Sequence, residues 1–259
     1  MGQQGNRVVI VDRNTPGGYT LAQHLTNAAS MQRIRQGNWD AVVLQEQSQI
    51  PTIPFYRDGQ FMPAGQDLAD SIRAYQPCAK VICYLTWGRQ NGGRQCDGGG
   101  PNCSPNFTDF GHMQDSLTAA YTRLAQASGG ILAPVGEAWR WHLDRGGAVL
   151  HTADQSHPNL LGSYLAACVF HNIIWQAPTS GNPYTSTLST AQAQALQQAA
   201  DSTVASGNWD FQRAIQADYT FTPLGNQIVQ FTDQSNVPNG ASYKWFFSDG
   251  SSTAQPSPR

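Results

Sequence analysis

Four short apolar runs punctuate the first 135 residues of the chain, each leading into a polar or glycine-rich turn and then into a stretch with helical spacing. They are residues 7–12 (RVVIVD), 39–44, 80–85 and 130–135. Runs of this length, rich in Val, Ile and Leu, fit strands buried on both faces of a parallel sheet. Helical spacing follows from Leu21, over 66–75, over 112–126, from the Gly136-Glu137-Ala138-Trp139 opening, and over 160–175. Strand and helix therefore alternate, which predicts an α/β fold: a parallel sheet between two layers of helices. The connection 90–110, full of Gly and Asn, is longer than most, and such loops are often functional. After Pro178 the pattern changes. Residues 188–205 read as an Ala/Gln-rich helix started by a Ser189-Thr190 cap. From Tyr219 onward, alternating runs separated by turn residues predict antiparallel strands.

Composition narrows the function classes. The chain has 259 residues, 40% hydrophobic and 12% charged, with a formal net charge of -2. Lysine occurs only at Lys80 and Lys244, so neither nucleic acid nor an anionic membrane has an electrostatic footprint to bind. The longest apolar stretch, 160–175, falls short of the roughly 18 to 20 residues a bilayer span needs. It is also interrupted by Gly162, Ser163, His171 and Asn172. Five cysteines occur. Cys78, Cys83 and Cys168 sit among apolar residues and read as core. Cys96 and Cys103 flank a flexible loop, and both a local disulfide and two free thiols are open to them. His and Cys are not paired at ligand spacing, so no metal or other cofactor is expected. Residues 1–6 carry no signal-peptide pattern.

Candidate chemistry gathers at three places. Asp154 and His157 lie three residues apart on one turn, closed by Pro158 before a helix. In that arrangement the carboxylate bonds one ring nitrogen and leaves the other facing outward as a general base. Asn14-Thr15-Pro16-Gly17-Gly18-Tyr19-Thr20 is a glycine-rich turn after the first run, where backbone N–H groups can face an anion or an oxyanion. Gln45-Glu46-Gln47-Ser48-Gln49 follows the second run at the strand's C-terminal end, the edge where open α/β sheets bind ligands.

Together these blocks resemble the SGNH (GDSL-type) hydrolase superfamily over residues 7–177. Asp154-Gln155-Ser156-His157 matches its D-x-x-H block. Asn14–Thr20 resembles its Gly block, and residues 44–48 occupy the place of its Gly-x-Asn-Asp block. The resemblance implies a flavodoxin-like three-layer α/β/α sheet and hydrolysis of carboxylic esters. It assigns His157 as base, Asp154 as its orienting partner, and Gly18 N–H and Gln47 side chain as oxyanion donors, with Gln45 the competing choice. Gln47 departs from the family's Asn by one methylene. A larger departure is that the family's Gly-Asp-Ser or Gly-Asn-Ser block, which precedes the matched Gly block, has no counterpart here. Only six residues precede Arg7, and none is Ser. Neither Ser48 nor Ser156 stands where the family carries its nucleophile. The expectation is a truncated, inactive esterase whose full-length form is secreted or periplasmic, acting on small-molecule or glycan esters. Residues 1–206 form the hydrolase-like domain, 207–218 a linker, and 219–259 the partial start of a PKD-like β-sandwich module. In that last segment Trp245-Phe246-Phe247-Ser248-Asp249-Gly250 echoes the W-x-F-G-D-G signature. The competing class is a non-catalytic secreted glycan-binding protein using Trp87, Trp139 and Trp141. The sequence is silent on oligomeric state.

Overall fold

The computed structural model describes residues 9–97, 100–212, 219–225, 228–234, 245–247, 251–255 and 258. The chain divides into two compact units, Met1–Gln212 and Arg213–Arg259.

In the first unit the elements run α1 (Leu21–Thr26), α2 (Ala28–Gln36), β1 (Ala41–Leu44), α3 (Pro54–Tyr56), α4 (Met62–Tyr75), β2 (Lys80–Tyr84), β3 (Gly93–Cys96), β4 (Cys103–Phe107), α5 (Phe110–Ser128), β5 (Ile131–Ala133), α6 (Val135–Asp144), α7 (Leu160–Trp175) and α8 (Thr190–Ser206). The strands β1, β2 and β5 form one parallel sheet in that order. Side chains of β2 alternate between two cores, as the period of a strand requires. Val81 and Cys83 face Leu21, Leu68, Ile72, Leu117 and Tyr121 from α1, α4 and α5. Ile82 and Tyr84 face Trp139, Leu165, Val169 and Leu196 from α6, α7 and α8. Helices cover both faces, so the central strand is apolar and buried from Val81 to Cys83, and the unit is a mixed α/β fold.

Several expectations need correction. Residues 9–12 of the first apolar run form no strand, and residues 7 and 8 lie outside the described residues. Val9, Ile10 and Val11 are 42%, 83% and 81% exposed. A strand exists only where a neighbour accepts its N–H and C=O rows, and none of the described residues pairs with this run. On β1 the only sheet partner is β2, so its other edge is open among the described residues, and Val43 is 42% exposed. Within the long connection 90–110, β3 and β4 pair as an antiparallel hairpin, and Cys96 and Cys103 stand opposite each other, joined by a disulfide. Gly92 starts this hairpin with a φ of +65, and a Cβ there would meet the Phe107 carbonyl oxygen at 2.6 Å. Only glycine fits both demands. Cys78, expected in the core, is exposed. Residues 209–211, read from sequence as linker, pair with the edge of β5: Leu132 N–H donates to Trp209 O at 2.7 Å and Phe211 N–H to Gly130 O at 3.0 Å.

The expected cap of α8 is present, with Ser189 and Gln192 forming a capping box. A buried-edge network fastens this helix to α7. The Asp201 carboxylate accepts from Asn172 Nδ2, Thr179 N and Thr179 Oγ1, each at 2.7 Å, and from Ser180 N at 2.8 Å.

In the second unit β6 (Tyr219–Gly225) and β7 (Ile228–Asp233) pair antiparallel, as do β8 (Trp245–Phe246) and β9 (Ser252–Thr253). Phe231 packs its ring against Tyr219, Trp245 and Phe247. Two hairpins are what the described residues contain. Ser248, Asp249 and Gly250 of the signature lie outside them.

Candidate active site

The turn before α7 is built almost entirely from its own residues. His151 and Pro158 form an antiparallel bridge, Thr152 N–H donates to His157 O at 2.8 Å, and Gln155 N–H to Thr152 O at 2.9 Å. Gln155 takes a left-handed φ of 62 at the tip. Asp154 locks the bend from inside: its Oδ1 accepts from Ser156 N and His157 N, both at 2.9 Å, and from Thr152 Oγ1 at 2.7 Å. An Asp side chain bonding backbone N–H groups two and three residues on is the usual chemistry of such bends. Its other oxygen, Oδ2, lies 2.5 Å from His157 Nδ1. The hydrogen bond from His157, reinforced by the backbone N–H donors, holds the Asp154 carboxyl well below the usual carboxylate range. With Nδ1 committed to Asp154, Nε2 carries the free lone pair. The His157 side chain is 79% exposed, and among the described residues Nε2 has no partner. The expected Asp–His pair is therefore formed, with its base nitrogen facing outward.

A strap from the end of β2 holds this turn from outside. Trp87 Nε1 donates to Ser156 O at 2.8 Å, Gln90 N–H to Gln155 O at 2.9 Å, and Asn91 Nδ2 to Gln155 Oε1 at 2.8 Å. The buried His151 ring reaches Gly88 O with Nε2 at 2.9 Å. Since a carbonyl only accepts, Nε2 carries the proton, and burial lowers the pKa of this ring. The Asp154–His157 turn is thus anchored at the C-terminal edge of the sheet. Trp87 also stacks on Trp139 at 4.3 Å, and Trp139 is fully buried. Arg145 sits 3.9 Å over the Trp141 ring. The three tryptophans offered as a glycan platform are thus a core residue, a turn clamp and a cation-covered ring.

The second and third blocks meet at Glu46. This residue follows β1, is 1% exposed, and its carboxylate accepts from Leu21 N at 3.1 Å and Gln47 N at 2.7 Å. It ties the start of α1, and the Gly18 turn just before it, to the end of β1. Burial pushes the Glu46 carboxyl up to about 7, against the pull of these two N–H donors. Gly18 has a φ of +69 and open space around it, and its N–H has no acceptor among the described residues. Gln47 Oε1 accepts from Gln49 N at 2.9 Å. A backbone N–H needs an acceptor, so this bond fixes the amide orientation and leaves Nε2 as an unused donor. Gln45 is exposed. No hydrogen bond among the described residues joins the Gly18–Gln47 side to the His157 turn.

Glu46 lay in plain view in the sequence, inside a polar block, without a role. Only its burial gives it one. The strap residues Gln90 and Asn91 had no sequence signal, because their partner is 64 positions away in the case of Asn91. Among the described residues no group of three His, Cys, Asp or Glu could hold a metal ion, and no helix is long and apolar enough to cross a membrane.

Comparison with known proteins bears on the fold. No protein-family model matches the chain, and no curated protein matches it. The crystal structure of a DUF4886 family protein from Bacteroides uniformis ATCC 8492 superposes with a TM-score of 0.61 at 18% identity. That alignment covers 74% of this chain and 81% of the other. A protein described as a "putative SGNH hydrolase", from Slackia heliotrinireducens, gives a TM-score of 0.46 at 27% identity, covering 60% of this chain and 78% of that one.

Proposed function

We propose that the first unit is the acid–base and oxyanion half of an SGNH-type ester hydrolase, built on a flavodoxin-like sheet. The observation that carries this reading is the Asp154–His157 pair, with Nδ1 engaged at 2.5 Å and Nε2 free. In the proposed reaction, His157 Nε2 takes the proton of a serine hydroxyl as it attacks an ester carbonyl, and Asp154 fixes the tautomer and supports the imidazolium. The Gly18 N–H and Gln47 Nε2, both unused as donors, receive the oxyanion. Such a donor is typically worth about 3 to 4 kcal/mol of transition-state stabilisation.

No serine of residues 1–259 stands in the sequence block where the family carries its nucleophile, and loss of the nucleophile costs on the order of 10^6 in kcat. Esterolysis requires a serine delivered to His157 by a segment outside these residues. The open edge of β1 and the exposed Val9–Val11 run are where such a segment would pair. Acetylated glycans are the favoured substrates, and the Cys96–Cys103 disulfide supports a secreted or periplasmic setting.

The test is turnover of p-nitrophenyl acetate by residues 1–259 and by a chain extended upstream with a strand ending in Gly-Asp-Ser or Gly-Asn-Ser. The shorter chain is expected to be inert. The extended chain is expected to turn over steadily, and to stop with His157→Ala. An extended, folded chain that hydrolyses no acyl ester would sink the reading.

A further inference from the structure

Arg89 is the centre of the strap that holds the His157 turn. Its neighbours on both sides are spent on that turn: Trp87 bonds Ser156, Gly88 bonds His151, Gln90 and Asn91 bond Gln155. Its own backbone is also engaged, with N–H directed at Met113 Sδ and the carbonyl accepting from Gly92 N–H. The guanidinium is different. It makes no ion pair or hydrogen bond among the described residues, although its Nε is buried.

That isolation is not shared by the other arginines in half-buried positions. Arg33 pairs with Asp12, Arg57 with Asp58, Arg140 with Asp115 and Glu137, and Arg73 donates to Gly129 O. The arginines left without a carboxylate elsewhere, such as Arg13, Arg35 and Arg94, are exposed. A buried, unpaired guanidinium N–H is destabilising, since buried charges ordinarily carry a partner. The acidic side chain of the strap-and-turn assembly, Asp154, is already engaged: three donors on Oδ1 and the imidazole on Oδ2. Four donors already occupy this carboxylate, and Arg89 is not one of them.

We infer that Arg89 is an anion subsite beside the His157 turn, so that the ester this site takes carries a carboxylate or another oxyanion group. The planar fork of donors suits two oxygens of such a group, and a partly desolvated position strengthens the pair. The inference rests on the hydrolase reading for the word ester. The anion site itself rests on Arg89 alone. It narrows the substrate from any acyl ester to an acylated acidic compound, such as an O-acetylated sugar acid.

The experiment uses residues 1–259 and needs no turnover. The Nε–H resonance of Arg89 is followed by nitrogen-15 NMR during titration with sodium glucuronate, with inorganic phosphate, and with glucose, all at matched ionic strength. Glucuronate is expected to shift that resonance saturably while glucose leaves it in place, and glucuronate binding read on the backbone amides of residues 87–91 is expected to weaken at least about tenfold in Arg89→Gln. A response to phosphate without one to glucuronate assigns the anion to a phosphoryl group instead. No response of the Arg89 resonance to either anion, or equal binding read on the backbone amides of residues 87–91 in Arg89→Gln, overturns the subsite. Should Arg89→Gln fail to fold, the wild-type resonance decides by itself. His157→Ala is expected to keep the anion response. Anion binding without esterolysis in the extended chain defeats the hydrolase reading alone, and esterolysis without anion binding defeats the subsite alone.

Discussion

Replacing Glu46 by Gln tests whether the carboxylate bridging α1 and β1 is as buried as its position implies. Its ordinary pKa is 4.5, and burial raises it to about 7. Between those values the folded protein holds a proton that the unfolded chain has released. A raised acid contributes stability that is fully present below about 4.5 and is lost as pH rises through about 7. At about 1.4 kcal/mol per pH unit, that interval corresponds to about 3 kcal/mol. Gln keeps the shape and does not titrate. One of its amide donors must face Leu21 N or Gln47 N, costing about 1 to 3 kcal/mol at every pH. The variant is therefore expected to be less stable than wild type at pH 5, and to recover about 3 kcal/mol relative to it by pH 8. Urea unfolding of both proteins at pH 5, 6, 7 and 8, followed by circular dichroism, gives the difference directly. Taking the difference removes His24, His142 and His151, whose lowered pKa values act alike in both. Parallel stability curves from pH 5 to 8 would refute the reasoning.

Asp201→Ala strands Thr179 N, Ser180 N and Asn172 Nδ2 together, and a loss of about 2 to 4 kcal/mol by urea unfolding is expected. Burial works to raise the Asp201 pKa, but its donors outweigh that and hold it at about 2, so this contribution disappears as pH falls from about 4 toward 2. Cys96→Ser with Cys103→Ser opens a loop of sequence separation 7, which by loop closure costs about 2 to 3 kcal/mol, read as a lowered melting temperature. Gly92→Ala forces a Cβ into the Phe107 carbonyl at a left-handed φ and is expected to destabilise by about 1 to 3 kcal/mol. Asp154→Asn removes the acceptor that fixes the His157 tautomer. Its ring nitrogen-15 shifts are expected to change from one dominant tautomer to a mixture, and an unchanged spectrum would count against the pair.

The sequence carried those parts of the fold that local pattern decides. Residues 80–85 read as a buried strand because helices cover both sides of the sheet, residues 39–44 read as its parallel neighbour, and the Ser189 cap and the Asp154–His157 turn are each written within six residues. Failures came where distant residues decide. Residues 7–12 have the right composition for a strand, yet composition cannot supply the neighbour that accepts its hydrogen bonds. Glycine and asparagine in 90–110 signalled a loop, while the cross-strand pairing of Cys96 with Cys103 and the fit of Gly92 against Phe107 make it a hairpin. Trp209 looked like linker because its partner, Leu132, lies far back in the chain. In the candidate site, Asp154, His157, Gly18 and Gln47 were nominated from motif, but Glu46 and Arg89 were not, since burial and the lack of a counter-ion are properties of three-dimensional surroundings.

Nearly every contact that shapes the Asp154–His157 pair comes from inside residues 151–158. The pair is thus a cassette: its internal spacing is a local property, and only its aim depends on the Trp87–Asn91 strap. Damage elsewhere in the molecule would misdirect an intact proton acceptor before it dismantled one, so turnover and the Asp154–His157 hydrogen bond should fail separately and in a fixed order.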